Sequence, residues 1–428
     1  MSTRRVFPHV FYGWYVLAAS FVILFLNTGG RYIVGILVKP VATEFDWSRG
    51  SISLVIFLNM AVYAFSVLVT GRLYDRYGAK WVVVGSTLLF SAGYALMATM
   101  HSFGEFLLYY GILNAAGTGG TAVPLFGSVI GHWFKKRRGL AVSLALAGSC
   151  LGQFFLLPVF SDMIDTSGWR ITLVWVAGLS VGLNIILSFW VLRRSPDSVA
   201  EPEKVVAPVL PRPREEAVPA ATPRDLSLRD AMQSRSLWLY TVAMFMCGGA
   251  DMLVGTHLAP MATDNGLSNE TAASMLAWIG LLSLVGILLA GPAADAIGNK
   301  LPIAITFALR VVLFVLLIEM KGALPFWIFS LGFGLTLLVT APLTATLVGA
   351  LYGTTHIGFI SGFISTVHMI GGGMWAYIGG VIYDSTGNYD LALLLSAVSA
   401  GVALVCTLLI REVRHVAPVS QLDAPPGV

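Results

Sequence analysis

Residues 71–80 read GRLYDRYGAK, and 220 residues further on, residues 291–300 read GPAADAIGNK. Gly71, Asp75, Gly78 and Lys80 recur as Gly291, Asp295, Gly298 and Lys300, on the few positions of an apolar chain that carry charge or a turn. The same offset aligns Pro40, Ala42, Thr43, Glu44 and Ser48 with Pro260, Ala262, Thr263, Asp264 and Ser268 without a gap. Two copies of one membrane unit are the simplest reading. Paired helical halves about an axis along the membrane normal are an architecture of transporters.

Composition agrees. Charged residues make up 11% of the 428 and AVILMFWYC residues 57%, with a mean hydropathy of +0.80, whereas a soluble domain carries about 25% charged residues. Twelve apolar runs are each long enough to cross a hydrocarbon core about 30 Å thick. They span 11–38, 50–70, 81–100, 104–131, 140–162, 169–192, 237–262, 270–290, 301–320, 323–350, 357–382 and 389–410. A closed barrel would instead show strands of about 10 residues with apolar and polar alternation. The expectation is an all-α integral membrane protein of twelve transmembrane helices in two pseudo-symmetric six-helix bundles, 1–194 and 237–412. A linker at 195–236 joins them, and a tail follows at 413–428.

Charge sets the expected orientation. With both termini in the cytoplasm, the inner segments hold 20 of the 26 Lys and Arg, including Arg72, Arg76, Lys80 and the run Lys135, Lys136, Arg137, Arg138. Lys39, Arg49, Arg170 and Lys321 fall outside. This is the positive-inside pattern of a multi-pass protein of the cell (inner) membrane, and the net charge of +4 needs no nucleic acid to explain it. The first run is too long for a cleaved signal and ends in Lys39 and Pro40 rather than a small-residue site. Seven of the nineteen prolines lie between 195 and 236, interleaved with charge. Such a segment buries too little apolar surface to fold alone and tethers the halves while letting them rock.

Chemistry-bearing motifs are missing from the sequence. Cys150, Cys247 and Cys406 each sit inside an apolar run without a CxxC partner, so the expectation is small core residues, no metal and no cofactor. No GxxxxGK[ST] or HExxH occurs, and the one GxSxG match, GLSVG at 178–182, lies inside an apolar run and offers no hydrolytic chemistry. An enzyme and an ATP-driven pump are both disfavoured, and energy is expected from gradients.

GRLYDRYGAK resembles the loop signature between helices 2 and 3 of the major facilitator superfamily, and its degenerate copy lies where that superfamily repeats it. Glycine permits the sharp turn, while Asp75 can cap a helix start and pair with Arg72, Arg76 or Lys80. We read Gly71, Arg72, Asp75, Arg76, Gly78 and Asp295 as a latch that stabilises one orientation of the halves, with a capped tight turn as the plainer alternative. WFKKRRGLAVSLALAGSCLG, residues 133–152, is similar to the helix 5 signature of the monocarboxylate transporter family. YGW at 12–14 partly matches that family's helix 1 signature. One departure stands out: Ser283 and Ile287 occupy the positions where that family usually carries an acid and an arginine on helix 8.

A charge facing lipid would cost about 2.5 to 3.5 kcal/mol on insertion scales. Arg31 in the first run and Asp251 in the seventh are again 220 apart. In the resembled fold those helices face each other across a central cavity, and the monocarboxylate family places a cation at the Arg31 position, where it takes part in binding the substrate carboxylate. We expect Arg31 to bind a carboxylate through its fork of donors and Asp251 to carry a proton, protonation freeing Arg31 for substrate. A permanent Arg31–Asp251 ion pair is the structural alternative. Arg310, in the ninth run, is expected to pair within its own half.

His257, six residues and about 9 Å beyond Asp251 at 1.5 Å per residue, and His368 are further proton candidates. Asn59, Tyr63, Tyr110, Asn114, Gln153 and Trp278 are candidate substrate contacts, each with interhelical packing as the plainer role. The function expected is a monomeric secondary carrier of a small organic monocarboxylate, coupled to protons and working by alternating access. The alternatives are a proton-coupled antiporter exporting lipophilic compounds, whose glycine-proline signature on helix 5 is incomplete here, and a non-transporting sensor, which would need an output domain.

Overall fold

The computed structural model describes residues 11–134, 138–192, 226–353 and 355–411, and among these all regular structure is helical. Backbone amides inside a bilayer find partners only within helices or closed barrels, so long apolar runs become helices. The first half comprises α1 (Gly13–Phe45), α2 (Arg49–Tyr77), α3 (Ala79–Met97), α4 (residues 103–133), α5 (Arg138–Ser167) and α6 (Trp169–Trp190). The second comprises α7 (Arg235–Asp264), α8 (Asn269–Ile297), α9 (Lys300–Glu319), α10 (residues 323–352), α11 (Ile357–Thr386) and α12 (Asp390–Leu409). We call the face where α1 begins and α12 ends the terminal face, and its opposite the far face.

The repeated sequence has repeated local causes. Ser48 and Ser268 accept hydrogen bonds from the amides of Ser51 and Thr271 and so cap α2 and α8. Gly78 and Gly298 end the same helices with φ of 82° and 84°, a conformation that a side chain rarely adopts. Gly78 and its repeat Gly298 are therefore turn residues in a literal sense, whereas Gly71 and Gly291 lie inside α2 and α8.

The fourth run departs from a single helix. It comprises Phe103–Phe106, a π-helical stretch Leu107–Asn114, Ala115–Thr118, a 3₁₀ turn Gly119–Thr121 and Val123–Trp133. Asn114 donates its side-chain amide to the carbonyl of Phe90 at 3.1 Å, which draws α4 onto α3. Gly117 and Gly120 press against α3 and Gly119 against α2, with no room for a Cβ. Pro124 starts the last piece, where its missing N–H costs no helical bond. α10 is interrupted in the same way between Leu337 and Thr340. A further short helix, Leu228–Gln233, and the first turn of α7 occupy the end of the expected linker, with Ala231 buried among the apolar residues of the second half. The rest of that linker lies outside the described residues.

Each half is built around one backbone-to-backbone pair. α1 packs on α5 with Gly148 and Gly152 facing the carbonyls of Phe21 and Phe25, and α7 packs on α11 with Gly371 facing the carbonyl of Phe245. Phe25 and Phe245 are themselves one repeat apart. Any side chain at these glycines would collide with the neighbouring backbone, so each pair is packed in direct backbone contact.

Candidate functional site

Three groups of polar side chains stand out, one within the first half, one within the second and one across the junction. The first surrounds Arg31, partly exposed at the middle of α1. Its guanidinium lies over the Tyr63 ring, 4.1 Å from the centroid, and Nη2 reaches the Met60 sulfur at 3.3 Å. A thioether is a weak acceptor, and a ring face neutralises little charge. No carboxylate pairs with Arg31 among the described residues. A partly exposed cation thus stands at the middle of α1 with only a thioether and a ring face beside it.

The second group corrects the expected Arg31–Asp251 relationship. Asp251 is 7% exposed and pairs with Arg310 of α9 at 2.8 Å, the guanidinium being fully buried. Arg310 also donates from Nε to the Thr336 hydroxyl (3.1 Å), from Nη2 to the Thr336 carbonyl (3.2 Å) and from Nη1 to the Cys247 sulfur (3.3 Å). On its other side, Asp251 Oδ2 lies 3.2 Å from His368 Nε2 of α11. The repeat made Arg31 and Asp251 equivalent in position, but equivalence under a pseudo-axis does not bring side chains together. Arg310 is long enough to reach inward from α9.

This group is peculiar to the second half. Stepping back by the repeat, Cys247, Asp251, Arg310 and His368 correspond to Asn27, Arg31, Phe90 and Gly148. The ligand atoms of Cys247, Asp251 and His368 fall within 4.8 Å of one another, a spacing that could hold a metal ion. Arg310 already brings positive charge to the same carboxylate and sulfur, so the donors are occupied by a cation of the chain itself.

The third group seals the far face. Arg49, at the start of α2, grips Asp264 at the end of α7 through two hydrogen bonds of 2.6 and 3.0 Å. Its guanidinium stacks over Tyr383, 3.7 Å from the centroid, and donates to the Tyr389 hydroxyl at 2.8 Å. Lys39 adds an ion pair to Asp264 at 3.4 Å. The carboxylate of Asp384 in α11 accepts the backbone N–H groups of Arg49 (2.9 Å) and Gly50 (2.7 Å), so one half caps a helix of the other. The symmetry-related junction is weaker: Asn269, one repeat from Arg49, donates to Asp165 at 3.0 Å. Burial pushes the Tyr389 phenol up from its usual value, which keeps it a donor.

The other expected site residues are placed as follows. His257 is buried behind the seal, Nδ1 3.1 Å from the Tyr389 hydroxyl and Nε2 2.8 Å from the Ala376 carbonyl, so both nitrogens are used away from Asp251. Asn59 donates to the Tyr110 carbonyl (2.7 Å), Asn114 to Phe90, and Gln153 to the Leu276 carbonyl across the halves (2.8 Å). Their amides are engaged in holding helices together. Tyr110 is buried and stacked on Phe106, while Trp278 is 38% exposed against Phe154. Arg72, Asp75, Arg76 and Asp295 lie on the terminal face, where Asp75 is exposed and forms no ion pair with a described residue. Among the described residues, hydrogen bonds between the halves run from the seal down to Ser283 and Cys150 and do not reach the terminal face.

The seal went unread in the sequence because loop-end charges have no periodicity. One signal was available: Arg49 is among the few cations on the side where cations are scarce, next to a helix cap.

Comparison with known proteins bears on this arrangement. The family model described as Major Facilitator Superfamily matches residues 20–256 and 239–426. An uncharacterized MFS-type transporter, YcxA, of Bacillus subtilis is 24% identical over 405 residues, covering 92% of this chain and 94% of that one. Monocarboxylate transporter 11 of Homo sapiens is 26% identical over 394 residues, 90% of this chain and 80% of that one. Among solved structures, a bacterial homolog of the human lysosomal transporter Spinster, in an inward-facing and occupied conformation, superposes with a TM-score of 0.70 at 16% identity, covering 93% and 97% of the two chains. The nucleoside transporter NupG (D323A mutant) gives 0.74 at 13% identity, with 94% and 100% covered.

Proposed function

The chain belongs to the major facilitator superfamily, and from that premise we propose that it is a proton-coupled secondary carrier of a small organic monocarboxylate, with Arg31 as the anion site. One observation carries this reading: Arg31, at the middle of a helix long and apolar enough to cross a membrane, is a partly exposed cation without a carboxylate partner among the described residues. Placing an uncompensated guanidinium in a membrane is costly. A carboxylate bound by its fork lowers that cost and gains two charge-assisted hydrogen bonds. The likeness to monocarboxylate transporters supports the same substrate class.

Alternating access is the mode of working we assign to the two halves. In this reading Arg31 is open to the terminal side while the seal is formed, and parting Arg49 from Asp264 and Asp384 while the terminal ends close would turn it to the far side. The charge bias makes the terminal side the cytoplasm. The latch around Asp75 engages in the second orientation, in keeping with its exposure in the first.

The test is a thermal-shift titration of the purified chain with pyruvate, lactate, acetate and benzoate beside amino acids and lipophilic cations. At least one monocarboxylate should stabilise the wild type and leave Arg31→Gln unchanged. Equal stabilisation of both proteins overturns the assignment of Arg31, and stabilisation by lipophilic cations alone overturns the substrate class.

A further inference from the structure

We propose that His368, held in place by the Asp251–Arg310 ion pair, carries the coupling proton, while Asp251 stays ionised throughout the cycle. The proposal rests on the reading of the chain as a proton-coupled anion carrier and replaces the simpler expectation that the membrane acid itself is protonated.

The buried ion pair is what excludes Asp251. Neutralising it would strand Arg310, whose side chain is fully buried and has only a threonine and a cysteine as other partners. Removing one member of such a pair is strongly unfavourable. His368 stands differently. Its side chain is 15% exposed against 7% for Asp251 and 0% for Arg310, so it is the most exposed of the three. Nε2 lies 3.2 Å from Asp251 Oδ2, which fixes Nε2–H as the donor because a carboxylate only accepts. Nδ1 then carries the lone pair, and it has no hydrogen-bond partner among the described residues.

A proton arriving from solvent therefore bonds to Nδ1. The imidazolium formed keeps its Nε2–H on Asp251 and gains a new Nδ1–H donor and a positive charge. When the proton leaves, the donor leaves with it. The charged and titratable groups facing His368 are Asp251 and Cys247 from α7 and, through Asp251, Arg310 from α9. α2, packed on the outer half of α11, brings Phe57 and Met60 to it and Arg49 only at its far end.

The fold has made room for this imidazole. The position one repeat back is Gly148, a helix-packing glycine. At 368 the second half has a histidine, and the small residue has moved to Gly248 on the facing helix, where a Cβ would strike the His368 carbonyl. A histidine kept only for packing would not need a partly exposed ring hydrogen-bonded to a charged pair. The consequence for coupling is direct: Arg31 is a permanent cation, His368 a conditional one, and an anion is held best when both are charged.

The experiment uses the full chain in nanodiscs with ¹⁵N-labelled histidine, the His368 resonance being the one lost in His368→Gln. That resonance should pass from one bare and one protonated nitrogen to two protonated nitrogens as the pH falls. Pyruvate should move the midpoint to higher pH. A His368 ring that stays neutral at every pH where the chain is folded, with the proton appearing instead on ¹³C-labelled Asp251, overturns the proposal. If His368 titrates but pyruvate, lactate, acetate and benzoate all leave its midpoint in place, the proton site stands and the anion-carrier reading is the one that fails.

Discussion

Asp251 of α7 and Arg310 of α9 meet at 2.8 Å in the interior of the second half, with none of the guanidinium and 7% of the acid exposed. Breaking a buried pair by removing one partner typically costs about 3 to 5 kcal/mol, whereas replacing both by well-packed apolar residues can be neutral. Asp251→Leu and Arg310→Met should each lower the unfolding midpoint sharply, and the double variant should recover most of the loss. Additive losses in the double variant would mean that the two do not act as a pair. Transport is not the readout here, since the same change removes the support of His368.

Arg49 offers a test of the seal. Arg49→Gln loses the fork on Asp264 and the stacking on Tyr383; hydrogen bonds to charged groups contribute about 1.5 to 3 kcal/mol. Spin labels at His101 and Glu270, exposed on the far ends of opposite halves, should show a distance distribution shifted toward longer separations. An unchanged distribution would leave the Arg49 cluster as a surface ornament.

Glycines distinguish packing between halves from packing against lipid. At Gly380 a Cβ would lie 2.7 Å from both the Arg49 carbonyl and the Ser53 hydroxyl. Overpacking costs about 1 to 3 kcal/mol, so Gly380→Val should open the same far-face distance and reduce thermal stability. Gly85 in α3 has nothing within 4 Å of a Cβ, and Gly85→Ala should instead gain about 0.5 to 1 kcal/mol from helix propensity. Opposite signs in the two melting curves are the expected result.

Asp75 should be silent in the conformation described and felt in the other. It is exposed and forms no ion pair with a described residue while the far face is sealed. Asp75→Asn should therefore leave the melting temperature of this form unchanged and raise the sealed population in the same spin-label measurement. A lower melting temperature with no shift in distances would reduce it to a turn residue.

Much of the fold was legible because its causes are local or compositional. Apolar runs dictate the helices, and Ser48, Ser268, Gly78 and Gly298 mark their ends by capping and by positive φ. The break-up of α4 was not legible, since its π-helical stretch depends on where Asn114 finds the Phe90 carbonyl. The pairing of Asp251 misled for a related reason. Symmetry in sequence gives equal depth in the membrane but says nothing of which neighbour a side chain turns to. A count of intramembrane charges would have helped: with Arg31 and Arg310 as cations and Asp251 as acid, one cation had to remain without a carboxylate, and only the structure says which.

The Asp384 cap has a consequence for the chain's own record of its cycle. Its carboxylate holds the amides of Arg49 and Gly50 only while the halves touch at the far face. When they part, those two amides lose their acceptor and meet water, leaving Ser48 with only the Ser51 amide to hold. The first turn of α2 is thus protected from deuterium in one orientation and open to it in the other, so backbone exchange at residues 49 and 50 reports the fraction of time spent sealed without any label being attached.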